Sequence, residues 1–195
     1  MPFICKRCGQ CCSDPAIIVT ITHRDLLRLE FFLPNIDLFK IVAFYQSGAD
    51  DISLEKKLMT PAIFTDHGES FLGLQKKDGR CIFLEKNLCQ IYDVRPLICQ
   101  SFPYTFQVRV NQIYWGYSLK AKEFCPGIKR DSKINKKQLE QLASNILKET
   151  EEFTELIQIW NTLAQNNLID PTPQILLSFL TGKIRLAIEN FGNIK

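Results

Sequence analysis

The spacing of apolar residues changes along the chain, and each spacing predicts a different element. The β-branched run at residues 17–21 indicates a short strand. Thr22 opens a capping-box pattern, which predicts that a helix starts there and covers residues 23–33. Pro34 separates this helix from a second one, which we predict over residues 36–47. This part of the chain is therefore expected to be mainly helical.

The middle of the chain predicts hairpins and short helical turns. Residues 71–76 and 80–84 flank the dipeptide Asp78-Gly79, which is typical of a tight β-hairpin turn. Residues 88–101 predict short helical turns, because a proline inside this stretch disfavours helix in the residue before it.

A strict alternation of apolar and polar residues follows at residues 104–110 and 113–119. It predicts a second hairpin with one apolar face. A two-residue loop would place three cross-strand pairs on that face: Val110 with Ile113, Val108 with Trp115, and Phe106 with Tyr117.

The pattern changes again after about residue 132, where no further cysteine occurs. Apolar residues at a spacing of three to four, from Leu139 to Leu163, predict a long amphipathic helix. A loop at residues 166–173 and a second helix at residues 174–191 complete a predicted antiparallel helical hairpin.

Together these elements predict an α+β fold in two parts. Residues 1–130 form a small cysteine-rich metal-binding core of short strands and hairpins. Residues 131–195 form a helical C-terminal extension that packs on it. The composition suits a folded protein, since 46% of the 195 residues are apolar and 23% are charged.

The net charge and the hydropathy of the chain limit the partners and the cellular location that we expect. The formal net charge is only +3, which does not favour nucleic acid as a partner. The sequence contains no run of about 18 uncharged apolar residues, so no transmembrane helix is predicted. No secretory signal precedes the first cysteine, so we expect a cytoplasmic protein.

Eight cysteines are the candidate chemistry of this chain. In a reducing compartment they are more typical of metal ligands or catalytic thiols than of a disulfide framework, which remains the alternative for a secreted protein. The later four fall near predicted turns or strand ends, where ligands are usually mounted. The eight are Cys5, Cys8, Cys11, Cys12, Cys81, Cys89, Cys99 and Cys125.

The first four lie within eight residues, in the stretch CKRCGQCC. The two residues between Cys5 and Cys8 let both sulfurs point at one ion, and the amides of the turn can bond to the first thiolate. Gly9 can adopt a left-handed conformation there. Cys11 and Cys12 are adjacent, and we expect their side chains to diverge. This favours a polynuclear cluster or two sites over one simple zinc ion.

Several motifs in order resemble a known family. They are CKRCGQCC, CIFL at Cys81, CQIYDVRPLIC from Cys89 to Cys99, the Phe102-Pro103 step and the CPG that starts at Cys125. This set resembles the CxxCxxCC (YkgJ-like) cysteine-cluster family of zinc- or iron-chelating proteins. The resemblance covers about residues 5–127. It fades over the C-terminal helices.

The resemblance implies metal chelation by the eight cysteines, without deciding between zinc and iron. Flagellin lysine methylases are similar in the cysteine region, and for them an iron–sulfur cluster is implied. An iron–sulfur cluster, most simply 4Fe–4S, is therefore our leading hypothesis. The alternatives are a structural zinc protein and a protein-modifying enzyme that is similar to the lysine methylases and takes a protein partner as its substrate.

Other residues are weaker candidates. Arg95 lies between two cysteines and would either form a structural ion pair with a carboxylate such as Asp93 or donate a hydrogen bond to a metal-bound sulfur. His67 lies in a loop and is a candidate ligand or base, whereas His23 is expected at the surface of a helix. Nucleotide-binding and common hydrolase motifs are absent from the sequence, so no catalytic residue is assigned.

Overall fold

The computed structural model describes residues 5–46, 60–110, 112–128 and 135–183. Its helices are α1 (Gln10–Ser13), α2 (His23–Phe32), α3 (Leu38–Ile41), α4 (Leu97–Ser101), α5 (Leu119–Phe124), α6 (Lys136–Gln165) and α7 (Pro173–Leu180). Its strands are β1 (Val42–Gln46), β2 (Ile63–Thr65), β3 (Gly68–Leu74), β4 (Lys76–Lys77), β5 (Arg80–Cys81), β6 (Leu84–Glu85), β7 (Leu88–Cys89), β8 (Tyr104–Arg109) and β9 (Gln112–Tyr117). The predicted α+β class is confirmed.

The largest sheet has the strand order β1-β3-β2, with both pairings antiparallel. The helix predicted over residues 36–47 is wrong, because only α3 is helical and β1 follows it directly. Val42 and the aromatic residues after it favour a strand wherever a partner strand is present, and β3 is that partner. The end of this prediction, at residue 47, lies outside the described residues.

The strand predicted at residues 17–21 is reduced to one bridge, between Thr20 and Gly73. The segment still runs beside β3, since the amide of Leu74 donates to the carbonyl of Val19 at 2.9 Å. Gly73 permits this approach, because a Cβ there would lie only 2.8 Å from the Val19 oxygen. The chain before α2 is thereby held against the sheet.

Two short hairpins follow the sheet. The first pairs β4 with β5 around Asp78 and Gly79, and both turn residues have positive φ, so the predicted turn is confirmed. The second pairs β6 with β7 at the start of the region that was predicted to be helical. Its turn residues, Lys86 and Asn87, also have positive φ. Each hairpin carries a cysteine in its returning strand.

The hairpin of β8 and β9 has the predicted alternation but a different register, and Val108 and Val110 at the end of its predicted apolar face are exposed. Tyr104 pairs with Tyr117, and Phe106 pairs with Trp115. The ring of Tyr104 stacks on that of Tyr117 at 5.2 Å and meets that of Trp115 edge-on at 5.5 Å. We attribute the register to this aromatic packing, which stabilises the observed strand pairing more than the preferred turn residues stabilise the predicted one. The slip of two residues leaves each side chain on its expected face.

The main core combines residues from both ends of the chain. Phe153, Ile157 and Trp160 of α6 are buried in the same cluster as Leu26 of α2 and Ile63 of β2. The predicted amphipathic helix is confirmed as α6, and α7 follows it as a second C-terminal helix. The last residues of the prediction 174–191 lie outside the described part of the chain. None of the described helices is both long and apolar enough to cross a membrane.

Candidate metal centre

All eight cysteines line one cavity. Its volume is about 140 Å³, whereas one water molecule needs at least about 10–15 Å³. The N-terminal cysteines and those from 81–125, which are far apart in sequence, therefore line the same cavity. Each of the eight is a free thiol. The eight cysteines lie on the loop before α1, on α1 itself, on β5, β7 and α4, and in the turn after α5.

The N-terminal cysteine loop, residues 5–13, begins with a local sulfur–amide contact. The amide of Arg7 donates to the sulfur of Cys5 at 3.3 Å, as expected for a metal-binding turn. Gly9 has φ of 72° and starts α1. A Cβ at Gly9 would lie 3.1 Å from the carbonyl oxygen of Asn87. The loop is thus packed against the β6–β7 turn, which brings it to Cys89.

The same amide pattern recurs at three other cysteines. Burial raises the pKa of Cys81, Cys89 and Cys125, and a hydrogen bond from a backbone amide two residues further along opposes each rise. Such bonds stabilise a thiolate and therefore suit a sulfur that binds a metal. The three amides belong to Phe83, Ile91 and Gly127.

The Cys11 and Cys12 side chains do not diverge, which corrects our expectation from sequence. Their sulfurs lie 3.8 Å apart on α1. Two sulfurs bound to one tetrahedral zinc ion at about 2.3 Å would also be separated by about 3.8 Å. The side-chain hydrogen bond between them lowers the pKa of Cys11 to about 7 and raises the pKa of Cys12. The two thiols therefore differ in acidity, although their sulfurs lie close together.

Cys99, on α4, is a thiol whose pKa is strongly affected by its surroundings. Burial raises its pKa well above the ordinary value, and the neighbouring thiols Cys81 and Cys11 add to the rise. Thiols this close cannot all ionise without a cation among them. Nevertheless, within the described residues no three His, Cys, Asp or Glu side chains are arranged to hold a metal ion as they stand. The thiols surround a cavity, and they have the soft donor chemistry that zinc and iron–sulfur clusters require.

Lys76 connects two cysteine-bearing segments. It pairs across the β4–β5 hairpin with Cys81. Its ammonium group donates at 2.9 Å to the carbonyl oxygens of Asp14 and Pro15, just after α1. Burial lowers the pKa of Lys76. This side chain therefore fixes the end of the segment with Cys11 and Cys12 relative to the hairpin with Cys81.

Tyr92 lies under two guanidinium groups at the same cavity. The Cζ atoms of Arg7 and Arg95 lie 3.8 and 3.9 Å from the centre of its ring. Arg95 also donates to the carbonyl oxygen of Tyr92. The charge of Arg95 lowers the pKa of Cys89, although burial remains the larger influence on that thiol.

The two histidines lie away from the cavity lining. His23 is buried, against the expectation of a surface residue, and stacks on Phe153 at 6.2 Å. Burial lowers its pKa. His67 is exposed, and its Nδ1 lies 3.8 Å from a carboxylate oxygen of Asp66.

Sequence reasoning missed two residues of the cavity wall, Lys76 and Tyr92. Tyr92 lies inside the Cys89–Cys99 motif and close to Arg95, and this position could have marked it as a candidate site residue. Nothing in the pattern around Lys76 marks it, because its role depends on a segment about sixty residues earlier.

The order and spacing of these cysteines match a known protein family over residues 4–126, well over half of the chain. The family is CxxCxxCC, described as "Putative zinc- or iron-chelating domain". This chain belongs to the CxxCxxCC family. The matched residues contain all eight cysteines, so metal binding is the function that family membership supports.

Two relatives come from Methanocaldococcus jannaschii. Uncharacterized protein MJ0661 is 30% identical over 129 residues, which are 64% of this chain and 57% of that protein. Uncharacterized protein MJ0939 is 26% identical over 163 residues, which are 79% of this chain and 47% of that protein. The chain thus spans about half the length of the curated relatives it matches. No solved structure matches the chain.

Proposed function

We propose that this CxxCxxCC protein carries an iron–sulfur cluster, most simply 4Fe–4S, on the thiolates that line its cavity. The observation that carries the proposal is the meeting of eight free thiols at one cavity. One structural zinc ion and one 4Fe–4S cluster each take four cysteine ligands, so eight thiols supply enough sulfur for a cluster and for a second metal site. A bound cluster would supply one-electron redox chemistry.

The surroundings of the thiols support a polynuclear centre. The cavity is about ten times larger than the space that one water molecule needs. Its wall includes apolar side chains such as Val19, Ile98 and Phe102, which lower the local dielectric constant. Lys76 and Arg95 supply positive charge beside thiolates that carry negative charge. The resemblance to flagellin lysine methylases in this region agrees with iron–sulfur chemistry.

We infer that four sulfurs anchor the centre, because each accepts a hydrogen bond from the amide two residues further along. They are Cys5, Cys81, Cys89 and Cys125. The other four thiols complete the ligand set or hold a second metal atom. Structural zinc is the alternative occupant of the same site. The cavity wall outside the cysteines is mainly apolar, so we propose binding or electron transfer in preference to lysine methylation.

The cellular setting and the division of the chain remain proposals. Eight unpaired thiols suit a reducing compartment, so we propose that the protein works in the cytoplasm. We also propose that residues 1–130 form the metal-binding domain and that residues 131–195 extend its core. A protein partner or substrate is compatible with this arrangement.

Anaerobic purification tests the proposal, followed by metal analysis, sulfide analysis and a visible spectrum. An iron–sulfur protein contains iron with matching acid-labile sulfide and absorbs visible light. Zinc without sulfide, in a colourless protein, would replace the iron–sulfur proposal by the zinc alternative. Cys81→Ser should lose the metal, whereas the control His67→Ala, at an exposed ring outside the cavity lining, should retain it.

A further inference from the structure

The Tyr92 ring joins the two halves of the cysteine constellation. Arg7 comes from the N-terminal cysteine loop, and Arg95 comes from the segment between Cys89 and Cys99. Their guanidinium carbons lie 3.8 and 3.9 Å from the centre of this one ring. All three residues line the cavity with the eight thiols. A single aromatic side chain thus contacts a cation from each of the two motifs.

The two guanidinium groups lack the usual partner of an arginine. Within the described residues, neither Arg7 nor Arg95 forms a salt bridge with a carboxylate, whereas Arg24 and Arg28 both do and Arg80 and Arg109 donate to side-chain amides instead. Since both lie within 4 Å of one ring centre, their like charges are also close to each other. Like charges within a Debye length repel, unless an anion stands nearby. Negative charge beside the two groups would offset this repulsion and stabilise the arrangement.

That negative charge is available at the cavity itself. A metal centre held by four thiolates carries net negative charge, because each thiolate contributes one unit and the metal core offsets only part of it. The two guanidinium groups lie on the wall that such a centre would face. A ring face attracts each cation as well, which holds it in place without a carboxylate.

We propose that Arg7, Tyr92 and Arg95 form a positioning stack, which holds the N-terminal cysteine loop against the Cys89–Cys99 segment and supplies the counter-charge of an anionic metal–thiolate centre. This inference rests on the proposed function. It assigns Tyr92 a role as a positioning residue, since it acts through the two arginines and the loop. The stack therefore slows metal release and favours the more negatively charged, reduced state of a cluster.

The test compares five single variants of the full chain, purified anaerobically: Arg7→Gln, Arg95→Gln, Tyr92→Leu, Tyr92→Phe and Lys6→Gln. Lys6→Gln is the matched control for general charge, because Lys6 lies in the same loop and also lines the cavity, but within the described residues only Arg7 and Arg95 form a cation–π contact with this ring. Tyr92→Phe keeps the ring and loses only the hydroxyl. The first measurement is the rate at which metal passes to a strong chelator, at low and high salt.

We expect Arg7→Gln and Tyr92→Leu to release metal about two- to fivefold faster than the wild type, which is the size of a cation–π contact at an exposed site. Tyr92→Phe and Lys6→Gln should release it at the wild-type rate. The double variant Arg7→Gln/Tyr92→Leu should be no worse than the worse single variant, because the two residues act as one unit. For an iron–sulfur centre, Arg95→Gln should also shift the reduction potential to a more negative value.

Two failures are distinguishable. A wild-type protein that binds neither iron nor zinc overturns the proposed function and this inference with it. A metal-loaded wild type that releases metal no more slowly than Arg7→Gln overturns the inference alone. Arg7 is exposed, so its replacement does not disturb the buried core. The Arg7→Gln variant therefore tests the inference even if Tyr92→Leu fails to fold. Equal acceleration by Lys6→Gln also overturns it, because the effect would then be one of general charge.

Discussion

An Oδ1 atom of Asp25 accepts a hydrogen bond from the backbone amide of Leu97 at 3.3 Å. Leu97 is the first residue of α4, the helix that carries Cys99. The same carboxylate accepts a hydrogen bond from the amide of Thr22 at 3.0 Å and another from the guanidinium of Arg28 at 2.5 Å. One buried side chain thus closes the capping box of α2 and fixes a wall of the metal cavity.

Asp25→Ala should lower the free energy of unfolding by about 3 kcal/mol, because it leaves the Arg28 guanidinium and two buried amides with one partner fewer. Urea unfolding measures this change. Asp37→Ala is the control, since Asp37 also caps a helix but is about half exposed, and it should cost about 1 kcal/mol or less. Equal effects of the two replacements would contradict the central position of Asp25.

Lys76→Met should weaken metal retention and lower the free energy of unfolding by about 2 kcal/mol. The reason is the loss of two charge-assisted hydrogen bonds to the carbonyls of Asp14 and Pro15, which fix the end of the Cys11-Cys12 segment. Metal content after gel filtration and urea unfolding measure the two effects. Lys77→Met removes the same charge from the neighbouring, exposed position and should match the wild type.

His23 should make stability depend on pH. Burial lowers its pKa in the folded state, and Arg24 lowers it further, although Glu152, Glu149 and Asp25 also face it and act in the opposite direction. The unfolded chain therefore binds the proton first as pH falls. Stability should decrease as pH falls through about 6.5, the ordinary histidine value, towards the lower folded-state pKa.

The measurement for His23 is the difference in melting temperature between wild type and His23→Gln from pH 8 to pH 5. Gln does not titrate, so the wild type should lose stability relative to this variant at the acidic end. A constant difference across the range would show that protonation of His23 is not linked to folding.

Removal of the metal should loosen the cavity before the core. Residues 5–13 contribute no buried apolar side chain, whereas Phe153 and Trp160 of α6 are fully buried in the main cluster. After chelation, hydrogen exchange should accelerate at residues 5–13 and 81–99, while residues 153–163 stay protected. Simultaneous loss of protection in α6 would mean that the metal supports the whole fold.

The two adjacent thiols should differ when replaced one at a time. Cys5→Ala and Cys8→Ala are each expected to abolish metal binding, because both remove a ligand of the N-terminal turn. Of Cys11→Ser and Cys12→Ser, we expect one to be severe and the other milder, since their mutual hydrogen bond favours charge on Cys11 and disfavours it on Cys12. Metal stoichiometry measures this. Complete and identical loss from both variants, with the fold retained, would show that the two sulfurs serve one indivisible centre.

Local patterns in the sequence determined a large part of this protein. The capping box at Thr22, the Asp78-Gly79 turn and the period of α6 were all predicted, because each depends on neighbours only a few residues apart. The alternation at residues 104–119 determined which side chains share one face of that hairpin for the same reason. The cysteine spacing determined the family and the candidate metal ligands.

Tertiary structure decided what depends on distant partners. Residues 42–46 became a strand because β3 pairs with them, and the aromatic contacts of Tyr104 selected the register of the last hairpin. The direction of Cys11 and Cys12, the reach of Lys76 to Asp14 and the stacking of Arg7 and Arg95 on Tyr92 follow from how separate segments meet. Spacing along a chain specifies which side chains a segment carries. The approach of segments in space specifies which atoms they face, because packing and hydrogen bonding between distant residues override local preference.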